Sequence, residues 1–244
     1  MQTLIILILF IANIMGRNPD AVGQNGMVVS SNRLASEVGI EVLKNGGNAI
    51  DAAIATGFAL AVVHPGAGNI GGGGFMVIRL ADGNVTTIDF REVAPNAAYR
   101  NMFLDDSMNV IPNKSWSTSW AAGVPGSVAG FGMAHEKYGK SPWRKLVYPA
   151  VKLAKEGFPL DFQNMSYLNH PYYKDYLSRD SESKKIFTKS DPYSINEIFY
   201  QKDLGKTLQR IAVEGWEEFY TGKTAALIAK CMQRTEGLIS LEDL

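Results

Sequence analysis

The sequence predicts a layered α/β arrangement, and three observations predict it. Two helical segments come first, the second apolar on nearly every side; a β-hairpin follows; most of the remaining chain reads as helix. A helix with no polar face is normally buried between layers, and a neighbouring sheet supplies one of them. At 244 residues the chain has length for one or two domains and a sizeable core.

Each element has its own signal. Met27 to Ser30 is a short apolar stretch that reads as an entering strand. Asn32 can cap a helix from Arg33 to about Lys44, whose Leu34, Val38 and Val42 share one face, and Asn45-Gly46-Gly47 stops it. Asn48 begins the second helix, with Asp51 in its first turn where a negative charge favours the dipole. Ala49 to Val63 is almost wholly apolar, and His64-Pro65 ends it. Phe75 to Leu80 and Val85 to Phe90 are β-prone runs around Ala81-Asp82-Gly83-Asn84, the signature of a hairpin. Ser127 to Tyr138, Pro149 to Glu156, Leu204 to Val213 and Thr224 to Arg234 read as helices. Residues 161 to 200 are polar, tyrosine-rich and weakly periodic, which predicts irregular surface structure.

Composition excludes several classes. Basic and acidic side chains balance at 24 each, without the excess of a nucleic-acid binder. One cysteine, Cys231, rules out an internal disulfide framework, and three histidines far apart make metal catalysis a poor expectation. On its apparently amphipathic helix Cys231 reads as a buried structural thiol. Residues 1 to 16 carry no charged side chain, and the apolar run Leu4 to Ile11 is too short to span a bilayer. It suits a signal peptide over residues 1–20, hence export to a periplasmic or extracellular location; a lipophilic anchor and a mis-assigned start are the alternatives.

Gly66, Gly68 and Gly71 satisfy G-x-G-x-x-G, but here a helix precedes and a strand follows, the reverse of a dinucleotide site. The run Gly66 to Gly74 reads instead as backbone that turns sharply and packs closely. His135-Glu136 lacks the second histidine of a zinc-protease motif. Pro125 to Gly130 misses a nucleophile elbow by one position and reads as a helix N-terminus. Asn84, Asn113 and Asn164 begin glycosylation sequons. Arg91, after the second hairpin strand, has a planar fork suited to a carboxylate. Spacing alone favours the alternative, a surface pair with Asp89 or Glu92.

Taken together these segments resemble the large-subunit half of gamma-glutamyltranspeptidases. The stretches that carry the likeness are Gly46 to Ala53, Ala59 to Pro65, Gly68 to Met76, Asp89 to Pro95, Met102 to Asp105, Gly123 to Phe131 and Gly237 to Leu244. Residues 161 to 200 match least. The resemblance implies an α+β fold of the N-terminal-nucleophile hydrolase type, an αββα sandwich, present here only as its N-terminal part. On this reading residues 21–244 form the large-subunit region, cut off before the small subunit.

The resemblance also implies the chemistry. A precursor cuts itself into large and small subunits, freeing a threonine that attacks the γ-glutamyl amide of glutathione or a similar compound. The γ-glutamyl group then passes to water, an amino acid or a peptide. Arg91 matches the arginine that grips the substrate's α-carboxylate, which reverses the weighting from spacing. No catalytic residue is expected in this chain, which is therefore expected to be inactive alone; no metal or cofactor is expected either. The small subunit of the same precursor is the expected partner. A relative acting on poly-γ-glutamate or a β-lactam side chain, and a non-catalytic truncated fragment, are the rivals.

Overall fold

The computed structural model describes residues 21–244. The signal-peptide reading of residues 1–20 lies outside them. Helix α1 (Arg33–Lys44) starts at Asn32, whose side chain accepts the Leu34 N–H at 2.9 Å, and gives way at Asn45 to Gly46 with φ of 87°. Helix α2 (Ala49–Val63) opens with a reciprocal cap: the Asp51 N–H donates to Asn48 Oδ1 and the Asn48 N–H donates to Asp51 Oδ2. Ten of its fifteen residues are buried, as its all-round apolar sequence requires.

Strands β1 (Phe75–Arg79) and β2 (Val85–Asp89) form the antiparallel hairpin, with Phe75 opposite Asp89 and Arg79 opposite Val85. Gly83, at φ of 91°, makes the turn. Ile78 and Ile88 point into the core, while Phe75, Val77 and Val85 on the other face are exposed. There follow α3 (Lys114–Ser117), a 3₁₀ turn at Ser119–Ala121, α4 (Ser127–Tyr138) and α5 (Trp143–Glu156). Then come β3 (Phe158–Pro159), α6 (Phe162–Asn169), α7 (Pro171–Leu177), α8 (Ser181–Phe187) and β4 (Ile198–Phe199). The chain closes with α9 (Lys202–Glu214), α10 (Glu218–Thr221) and α11 (Lys223–Arg234). Helix α2 packs between α1 and α5, α5 packs on α9, and α4 lies against β2.

Three expectations need correction. Met27 to Ser30 has no ladder partner among the described residues; it lines a groove against α2 instead. A strand is defined by its pairing, which local hydropathy does not supply. Helix α5 begins at Trp143 and carries Pro149 inside it, rather than starting there. Residues 161 to 200 hold three short helices, capped by Asp161, His170 and Asp180, and β4, which pairs with β3. Helices of seven or eight residues are too short to show a period, so their caps are the only local trace of them.

Candidate functional site

The site is built where the hairpin opens. Gly74 and Phe90 exchange N–H to C=O bonds at 3.2 and 3.0 Å, extending the ladder by one pair. The Phe90 ring then seats against Gly130 of α4, where a Cβ would overlap it, and lies 5.9 Å from the Phe131 ring. The glycine run packs closely, as expected: a Cβ at Gly68 would overlap the Leu60 carbonyl. The amides of Gly126 and Ser127, at the start of α4, donate to the Gly72 carbonyl at 2.7 and 2.9 Å. Two of the free amides at that helix N-terminus are therefore occupied by backbone.

Arg91 leaves this anchored segment. Its backbone N–H donates to Asp89 Oδ1 at 2.9 Å, and its Nε meets Glu92 Oε2 at 3.0 Å. The guanidinium carbon lies 5.9 Å from the centre of the Phe75 ring. The side chain is 65% exposed, and Nη1 and Nη2 have no partner among the described residues. The surface pair with Glu92 that spacing favoured is thus present, and the outer edge of the fork meets no carboxylate among the described residues. Asp89, though, engages the backbone of Arg91 rather than its guanidinium. Phe75 and Gly130 were missed as supports of this site, because their contacts with Arg91 and Phe90 cross gaps of 16 and 40 positions.

Other candidate residues are dispersed. His64 ends α2, His170 caps α7, and His135 Nε2 lies 2.7 Å from the Ser141 carbonyl oxygen. Glu136 accepts the Trp216 indole N–H. No group of three or more His, Cys, Asp or Glu gathers as a metal site among the described residues. Ser127 is buried in the first turn of α4, a helix N-terminus as read. Of the sequon asparagines, Asn84 and Asn113 are exposed, whereas Asn164 is buried and donates to the Val63 carbonyl at 2.8 Å. Cys231 is exposed, which corrects its reading as a buried thiol: α11 turns Thr224, Ala225 and Ala229 inward instead.

Two concavities lie elsewhere. One, of about 430 Å³ between Met27–Ser30 and α2, has mostly apolar walls and includes Thr56, whose buried hydroxyl has no hydrogen-bond partner. The other, of about 590 Å³, is lined by Lys174, Lys184, Lys185 and Lys189 together with serines and a threonine. Neither reaches Arg91.

The architecture matches solved structures. Superposition on Helicobacter pylori gamma-glutamyltranspeptidase gives a TM-score of 0.88 at 48% identity, covering 92% of this chain and 64% of that one. The Bacillus anthracis transpeptidase enzyme CapD gives 0.73 at 35% identity, covering 91% and 68%. The fold is therefore of the α+β, N-terminal-nucleophile hydrolase type, and this chain supplies its N-terminal part. Residues 35–244 match the family described as gamma-glutamyltranspeptidase. The Escherichia coli glutathione hydrolase proenzyme is 49% identical over 222 residues, which are 91% of this chain and 38% of that protein. The Bacillus subtilis proenzyme of the same name is 40% identical over 227 residues, again 38% of its length. The chain belongs to the gamma-glutamyltranspeptidase family, as its large-subunit part, and spans little more than a third of these curated relatives.

Proposed function

We propose that the whole protein is a γ-glutamyltransferase and glutathione hydrolase, with this chain forming the large-subunit half of a heterodimer cut from one precursor. The names of the relatives, glutathione hydrolase proenzyme, support the activity and the processing. In this reading a threonine from the second half attacks the γ-glutamyl amide, and the γ-glutamyl-enzyme passes its acyl group to water, an amino acid or a peptide. The chemistry is acyl transfer and needs no cofactor. Residues 1–20 act as a signal peptide that sends the protein to the periplasm or the cell exterior.

Arg91 is the substrate contact in this proposal, and one observation carries it: the open Nη edge of a guanidinium whose Nε is already held by Glu92. That edge takes both oxygens of the α-carboxylate and orients the amide toward the nucleophile. Kinetics of the full-length protein on a γ-glutamyl anilide test it. Arg91→Ala should raise KM sharply, since losing a bidentate charged contact costs roughly 2–5 kcal/mol; an unchanged KM would remove Arg91 from the site. Comparing glutathione with poly-γ-glutamate and a cephalosporin side chain separates this reading from its same-fold rivals, one of which has a solved relative described as a cephalosporin acylase, 25% identical.

A further inference from the structure

The mouth of the hairpin holds more around Arg91 than a contact to substrate requires. Phe75 and Asp89 are the terminal register pair of the two strands, so their side chains stand beside each other on the outward face. Each engages Arg91 differently. Asp89 Oδ1 accepts the Arg91 N–H at 2.9 Å, closing an Asx turn that bends the chain off the strand. The Phe75 ring lies within cation–π range of the guanidinium, 5.9 Å from its carbon. Between them Phe90 is immobilised by its ladder pair with Gly74 and its seat on Gly130. A long side chain left free would lose rotamer entropy on meeting a carboxylate; one already held loses less.

We propose that Phe75 and Asp89 are positioning residues for Arg91, holding its backbone and guanidinium in the binding arrangement before substrate arrives. The inference rests on the assignment of Arg91 to the substrate carboxylate. Neither residue touches substrate: Asp89 sets where the arginine leaves the backbone, and Phe75 sets where its charged plane lies.

Steady-state kinetics of the full-length processed enzyme on a γ-glutamyl anilide test it, with Asp89→Ala, Asp89→Asn, Phe75→Leu and Phe75→Tyr made alone and combined with Arg91→Ala. Asp89→Ala and Phe75→Leu are each expected to raise KM about fivefold, the worth of one hydrogen bond or one cation–π contact, with kcat little changed. Asp89→Asn keeps an oxygen that can accept the same N–H, and Phe75→Tyr keeps the ring, so both should restore most of the affinity. In the Arg91→Ala background neither substitution should raise KM further, because residues acting through one group are not additive.

The result that overturns the inference alone is a KM unmoved by Asp89→Ala and Phe75→Leu while Arg91→Ala raises it. Effects that add fully to Arg91→Ala, or a fall in kcat and melting temperature without a rise in KM, overturn it equally. A KM unchanged in Arg91→Ala itself brings down the assignment beneath. Should Asp89→Ala fail to mature, Asp89→Glu, whose carboxylate sits one methylene too far to close the turn, carries the same expectation.

Discussion

Asp51 joins two distant stretches of backbone through one buried carboxylate. It accepts the N–H groups of Asn48, Lys140 and Ser141, each at 3.0 Å, and has no solvent exposure. Only its place in the first turn of α2 is legible from sequence; Lys140 and Ser141 lie 89 and 90 positions away. Asp51→Ala is expected to cost roughly 3 kcal/mol, because it orphans amides as well as deleting a cap. A lowered urea midpoint for the full-length protein, with a smaller loss for Asp51→Asn, is the measurement. Arg91 was legible in a different way: its fork at a strand end is visible in the sequence. Only the resemblance points to a substrate carboxylate, since spacing favoured the surface pair, which is the one the structure contains. For Cys231 local pattern misled, because a helix with one apolar stripe does not say which of its borderline positions lies inside.

Helix α2 shows how an element depends on others. The carbonyls of Val62 and Val63 at its end have lost their helical partners, and side-chain amides from distant segments replace them. Gln201 donates to Val62 at 2.6 Å, while Asn32 and Asn164 donate to Val63 at 3.1 and 2.8 Å. Gln201→Leu should lower the melting temperature by an amount matching about 1–3 kcal/mol, the cost of an unsatisfied buried carbonyl; no change would mean that water reaches Val62. Helix α5 is the opposite case, in which packing overrides a local signal. Pro149 inside a helix costs about 3 kcal/mol. Burying Leu146 and Val147 completely offsets that cost, at about 1.5–3 kcal/mol for each side chain. The sequence marked α1, α2, the hairpin and α4 because caps, glycines and periodicity act within a few residues. It missed α6 to α8, whose seven or eight residues carry caps but no period.

Across the whole molecule, several carboxylates hold separate segments in place and share one response to acid. Asp243 accepts the N–H groups of Asn96 and Ser240, and these bonds hold its pKa below the usual carboxylate value. The Ser183 amide, with Arg234, does the same for Asp180, and Lys189 does so for Glu197. A carboxylate depressed by folding stabilises the protein above its unfolded pKa, near 4, and loses that contribution as pH falls through the folded value. The melting temperature of the full-length protein should therefore be insensitive to these groups near neutrality and fall below about pH 4. A melting temperature flat to pH 3 would refute this.

The outward face of the hairpin leaves Phe75, Val77 and Val85 exposed in this chain. By itself the sequence determined where α1, α2, α4 and the hairpin start and stop, and that an arginine stands at the strand's end. These are matters of capping, turn chemistry and periodicity, which reach only a few residues along the chain. Tertiary structure alone decided which distant amide meets which carbonyl, which aromatic ring fits against which glycine, and which edge of Arg91 stays open. Such pairings join positions tens of residues apart, and no local pattern encodes the partner.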